Sequence, residues 1–220
     1  DRCALIYSLQ NPKRAGDKFQ NRYTVAYQIG KLDLQKGSFL PLGEEYELDR
    51  GFACYATHTL TQGDKRYIVY WEGSWENNNP MDVEGYAGQL SLVKEIRFQR
   101  ERLTMHFLPN SKAKHLDVAL LEDQAYLKIN NIKIAFDRQD KLVTITRKDM
   151  DVPIVDSDNN PIDERHFHLT NLERLSIDYS IDHSCVEFSF NDGEVFFSLL
   201  NFKLDAPIEE VIASEGCIIK

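Results

Sequence analysis

The chain carries 35 acidic against 26 basic side chains over 220 residues, a formal net charge of −9. A surface with that excess repels polyanions and anionic lipid, which argues against nucleic-acid and membrane partners and in favour of a small, locally recognised one. With 42% hydrophobic and 28% charged residues the composition is that of a globular protein with enough length for one large or two small domains. No segment is long and apolar enough to cross a bilayer as a helix. Cys3, Cys54, Cys185 and Cys217 are scattered, with no close pair. That spacing predicts buried free thiols rather than a zinc site or a disulfide framework, and no cofactor is implied.

In chain order, Asp1 to Ser8 reads as a strand already under way, without an initiator Met or a leader, so a truncated or processed chain is expected. Tyr23, Val25, Tyr27 and Ile29 alternate with Thr24, Ala26 and Gln28, the period of two that marks a strand. Further strands are predicted over 4–7, 55–60, 67–71, 88–92, 126–129, 132–136, 142–146, 175–179, 186–190 and 195–199. Turn signals separate them at Gln62-Gly63-Asp64-Lys65, Asn130-Asn131, Arg138-Gln139-Asp140 and Asn191-Asp192-Gly193-Glu194. Only 208–213 carries a weak helical pattern. Short strands at regular spacing predict an all-β sandwich, barrel or propeller. The polar stretch from Phe107 to Lys114 predicts a boundary, giving all-β units over 1–108 and 109–220, and the Asp- and Asn-rich stretch 150–168 reads as an exposed loop.

Four ordered segments carry a family resemblance. Glu47 to Thr59 followed by Arg66 to Gly73 looks like an Asp-Tyr-Gly stretch leading to Phe-Tyr-Ala-Pro-Gln and a hairpin ending in Gly-Trp. Gly85 to Ile96 is similar to Gly-Trp-Ala-Gly-x-Leu-Thr-Leu-Pro-Arg-Glu-Leu. Leu175 to Tyr179 with Cys185 to Glu194 resembles Asp-x-Ser-Ser-Val-Glu-Ile-Phe-Val-Asn-Asp-Gly-Glu, and Phe19 to Asp33 matches an Asn-x-Tyr strand and a Gly-x-Asp strand. The pattern is that of the β-fructosidases of glycoside hydrolase family 32.

The resemblance implies an all-β architecture in which residues 1–108 are the last blades of a five-bladed β-propeller and 109–220 form a carboxy-terminal β-sandwich. It also implies a retaining hydrolase for terminal β-fructofuranosyl residues of sucrose, sucrose 6-phosphate or a short fructan. Such an enzyme needs a nucleophile and an acid/base carboxyl about 5 Å apart. The family's Trp-x-Asn-Asp-Pro-Asn-Gly, Arg-Asp-Pro and Glu-Cys motifs do not occur in this chain, so no catalytic residue is assigned in it and the chemistry is expected upstream. The partners expected are a small sugar and either the upstream propeller segment or a second copy. Unpaired cysteines favour a cytoplasmic enzyme over a secreted fructanase. A non-catalytic carbohydrate-binding or interaction sandwich, or a degenerate member, is the competing reading, since Ala53, Cys54, Thr57 and His58 depart from the family pattern.

The resemblance places Asp49 on the propeller floor as a sugar ligand; the simpler alternative is a turn aspartate before Gly51. Tyr55 and Trp71 can each offer a ring and a polar tip to a sugar, against the alternative of propeller core. Asn191-Asp192-Gly193 reads as a hairpin turn, with Glu187 and Glu194 solvated beside it. His166 and His168 lack an evident third metal ligand, and Asp149, Asp151, Asp156 and Asp158 fit no calcium loop. No metal site is assigned.

Overall fold

The computed structural model describes residues 2–78, 80–99, 101–203 and 209–220, with the side chains of 83 and 84 also outside the description. Alternation of side chains becomes four antiparallel sheets. The first contains β1 (Arg2–Gln10), β2 (Tyr23–Asp33) and β3 (Ser38–Glu47) in that order. The second orders β4 (Tyr55–Gln62), β5 (Lys65–Glu72), β7 (Lys94–Gln99) and β8 (Arg102–Phe107), with short β6 (Gln89–Leu90) on β5 and a 3-10 helix, Pro80–Glu84, before it. The remaining strands are β9 (Lys114–Leu120), β10 (Gln124–Ile129), β11 (Ile132–Asp137), β12 (Leu142–Thr146), β13 (Glu164–His168), β14 (Leu175–Asp182), β15 (Cys185–Phe190), β16 (Val195–Leu200), β17 (Val211–Ala213) and β18 (Cys217–Ile219). They build two five-stranded sheets, β13-β12-β11-β10-β17 and β16-β15-β14-β9-β18. No helix among the described residues is long and apolar enough to span a membrane.

The predicted turns close hairpins. Asn191, Asp192 and Gly193 all sit at positive φ (50°, 57° and 81°), a run that Asn, Asp and Gly tolerate because their short or absent side chains escape the usual clash. Two expectations are corrected. Residues 211–213 are strand β17 rather than helix, because they hydrogen-bond to the free edge of β10; residue 208 lies outside the described residues. Part of the supposed loop 150–168 is strand β13, which pairs with β12 and buries Phe167.

The two five-stranded sheets share a core of Leu127, Ile134, Phe136, Val143 and Phe167 from one side and Ile177, Val186, Phe188, Phe190, Phe197 and Leu199 from the other. All six residues of β15 and all six of β16 are buried, so the second face of this sheet is covered as well. The cover is the first half of the chain. Arg50 N donates to Phe196 O at 2.8 Å and Phe52 N to Ser198 O at 2.7 Å, laying the 48–54 segment along β16. A methyl group on Gly51 would overlap the Ser198 backbone, so only glycine permits this approach. Phe52 enters the core between the two large sheets, edge to face with Phe197 at 5.6 Å, with the Arg147 and Arg165 guanidinium carbons 3.9 and 4.8 Å from its ring centroid. Phe196 goes the other way, into the core with Val25, Tyr27, Ile68 and Met105.

Phe52→Ala is therefore expected to cost about 3–5 kcal/mol, and Phe196→Ala a similar amount, whereas Leu34→Ala, at a side chain 84% exposed, should stay within about 0.5 kcal/mol. Urea unfolding of the three variants beside the parent checks the ranking.

Candidate functional site

A cluster of four aromatic rings sits where the ends of several strands meet. Tyr55 opens β4 and lies opposite Trp71 at the end of β5. Tyr23 opens β2, and Trp75 follows β5 in a loop. The Trp75 ring centroid stands 5.4 Å from Tyr23, 5.1 Å from Tyr55 and 5.3 Å from Trp71, and Tyr23 is 5.7 Å from Tyr55. Three of these pairs are edge-on, the preferred approach of rings with negative faces and positive rims. Trp75 remains 63% exposed, so the cluster presents an indole to solvent on a base of packed rings.

The surrounding backbone fixes the cluster. Trp71 Nε1 donates to Ala87 O at 3.3 Å, and methyl groups on Gly73 or Gly88 would both overlap the indole, so two glycines clamp the ring. Gln10 at the end of β1 donates to the Tyr55 hydroxyl at 3.3 Å. Between Tyr55 and His58 the β4–β5 register slips, with Ala56 at φ 49°, a left-handed conformation that an alanine adopts at a cost. On the flank, Arg22 lies 5.9 Å from the Tyr23 ring centroid and donates from Nε to Asn11 Oδ1 at 2.8 Å.

Behind the cluster lies a buried polar layer. Tyr70 and Glu72 alternate with Trp71 on β5, so they point away from the rings. Asp49, 1% exposed, accepts hydrogen bonds from Gly51 N (2.7 Å), Ser198 N (3.1 Å), Ser198 Oγ (2.7 Å) and the Tyr70 hydroxyl (3.0 Å). Lys94 and Glu187 form an ion pair with side chains 0% and 1% exposed. The expectation that Glu187 is solvated is thereby corrected, because its strand is covered on both faces. Glu194 at the turn accepts from Thr170 N at 2.6 Å.

Of the residues singled out from sequence, the structure brings Tyr55 and Trp71 into one cluster. Asp49 stands in the layer behind, with both oxygens engaged. Tyr23, Trp75 and Gln10 were missed as site residues: Tyr23 read only as strand, and Trp75 stands in a segment without periodicity. His168 Nδ1 lies 3.0 Å from Asp17 Oδ2, and the backbone carbonyl of His166 accepts from Gln20. Asp149 and Asp151 meet Lys203, and Asp156 closes its own turn through Asp158 N and Asn160 N. Among the described residues no group of three or more His, Cys, Asp or Glu is arranged to hold a metal ion.

The strain at Ala56 yields a test. Ala56→Gly removes the left-handed penalty, so stability should rise by about 1 kcal/mol despite the added chain entropy, read as a shift in the denaturant midpoint at unchanged slope.

Residues 2–107 match the model of the glycosyl hydrolases family 32 N-terminal domain. Over 217 residues the chain is 28% identical to a sucrose-6-phosphate hydrolase of Lactococcus lactis, covering 90% of this chain and 45% of the relative. The corresponding figures for the Bacillus subtilis sucrose-6-phosphate hydrolase are 25% over 248 residues, 96% and 49%. The chain thus spans about half the length of these relatives. Among solved structures, the Lactobacillus gasseri sucrose-6-phosphate hydrolase superposes with a TM-score of 0.84 at 23% identity, over 98% of this chain and 50% of that one. The Bombyx mori β-fructofuranosidase in complex with sucrose gives 0.79 at 22%, over 100% and 51%. The family match covers the first half and the shared fold extends over both: residues 2–107 belong to the N-terminal domain of glycoside hydrolase family 32.

Proposed function

We propose that this chain is the carboxy-terminal part of a retaining glycoside hydrolase that removes terminal β-fructofuranosyl residues from sucrose, sucrose 6-phosphate or a short fructan. In this reading residues 1–108 supply the last blades of a five-bladed propeller and 109–220 a sandwich, in a cytoplasmic enzyme. The observation that carries it is the ring cluster of Tyr23, Tyr55, Trp71 and Trp75, with its exposed indole and glycine-clamped base. Sugars dock on such surfaces because their C–H faces lie against the ring while hydroxyls remain hydrogen-bonded at its edge.

The upstream segment contributes the nucleophile and the acid/base, which act by double displacement: the nucleophile forms a fructosyl-enzyme while the acid protonates the leaving oxygen, then the same group deprotonates the water that hydrolyses it. The role of the present chain is positioning, with exposed Trp75 holding the sugar against those carboxyls and Tyr55, buried at 6% exposure, as part of the packed base beneath it. Asp49 supports the cluster from behind, through Tyr70, rather than meeting the sugar. The Arg22 guanidinium gives the cluster a positive flank, which favours a phosphorylated substrate over a neutral one. The free edge of β1, which carries Leu5 at 43% exposure, is a strand to which a preceding segment can pair.

Fructose release from sucrose, sucrose 6-phosphate and inulin tests this, with the chain assayed beside the protein extended upstream. Activity only in the extended form is expected, and Trp75→Ala in that form should raise KM about tenfold, the equivalent of about 1.4 kcal/mol of lost ring contact. Activity in the present chain alone would overturn the upstream assignment, and equal KM values in the variant would remove Trp75 from the site.

A further inference from the structure

Glu72, at the end of β5, is fully buried, and no donor in hydrogen-bond geometry meets either of its carboxyl oxygens. The titratable groups facing it are Lys94 of β7, and Cys185 and Glu187 of β15, with Tyr70 of β5 and Cys54 of the 48–54 segment at the margin, while β6 sets the uncharged Gln89 opposite it. Lys94 is the cation of this cluster. It donates to Glu187 and to Leu92 O at 3.0 Å, and lies 4.1 and 4.9 Å from the Tyr70 and Phe196 ring centroids.

One ammonium therefore faces two carboxyl groups where no water-exposed atom relieves them. Lys94 with Glu187 already balances charge. A second carboxylate would stand buried without a donor, a costly state, whereas binding a proton near neutrality costs only the modest free energy of a shifted titration. When two carboxyls share such a site, one holds a proton. Burial first, and then the Glu187 charge, push the Glu72 carboxyl well above the ordinary carboxylate range.

We propose that Glu72 is a neutral carboxylic acid at physiological pH, and that its proton, turned toward Glu187 and Cys185, is a latch that holds β5 against β15. Deprotonation places two negative charges against one lysine and drives the strands apart. Trp71 is the next residue along β5, so opening the latch also releases the base of the ring cluster. The inference stands on the buried geometry alone and does not depend on the function proposed above.

The latch has a thermodynamic signature. A group whose titration is raised in the fold stabilises it fully below its ordinary range, and that contribution is lost as pH rises toward the folded value. Glu72→Gln keeps the shape and a donor but binds no proton. Between about pH 5 and pH 8 the unfolding constant of the parent, relative to Glu72→Gln, should rise about tenfold per pH unit, the slope for one proton released on unfolding. Glu47, pushed up to about 7 by burial, titrates in the same window but is present in both proteins and cancels. Parallel pH profiles would overturn the proposal. If the variant does not fold, infrared spectra of the parent decide: at a pH well above that of Glu47 a protonated-carboxyl C=O stretch should persist in the folded protein, and its absence would overturn the latch.

Discussion

The structure depends on strands β15 and β16 being buried on both faces. A strand in an ordinary two-layer sandwich shows one face to water and spends half its side chains on solubility. Here the outer face is closed by the first half of the chain, and each half places a phenylalanine in the other's core: Phe52 among the residues of the large sheets, Phe196 among Val25, Ile68 and Met105. The covering is directional as well as apolar. Asp49 reads both the backbone and the hydroxyl of Ser198, and Gly51 lets the backbones touch. An apolar face alone would tolerate a slide of the two halves, whereas these hydrogen bonds admit one register.

The ring cluster inherits that rigidity. β5 carries Tyr70 and Glu72 toward the junction and Trp71 toward the cluster, so one strand joins the buried polar layer to the exposed indole. The site is thus built on elements whose far side is locked, which is how a surface of rings keeps its geometry without a ligand. Strain at Ala56 and the glycine clamp on Trp71 belong to the same arrangement.

Much of the fold was legible because β strands announce themselves by alternation. β11 and β12, with strict buried and half-buried alternation, are where the sequence reads most directly. β3 was missed because it is an edge strand that is mostly exposed and holds Pro41 and Gly43, so no buried face imposes a pattern. β7 and β8 were hidden by their charges, some of which, such as Lys94, are buried only because the other half supplies a partner. The same cause misplaced Glu187: composition marks a carboxylate in a strand as solvated, and only tertiary pairing shows otherwise. Tyr55 and Trp71 were singled out from the sequence as rings for a sugar or for the core, and the structure sets both in one cluster. Trp75 was not singled out, since an isolated loop tryptophan has no period and gains meaning only when three other rings surround it.

The plug formed by Phe52 and Asp49 also has a bearing on how the chain is made. Asp49 and Ser198 are 149 positions apart, so during synthesis the 48–54 segment emerges long before the strand it will lie along. Until Val195 to Leu200 leaves the ribosome, a phenylalanine, a carboxylate and the lysine that will pair with Glu187 have no destination. Closing that distance is a late, non-local event of high contact order, and the nascent first half must meanwhile keep its unfinished face out of reach of other chains. In the cell, the interval between those two points of translation is the time during which this polypeptide has most need of a chaperone.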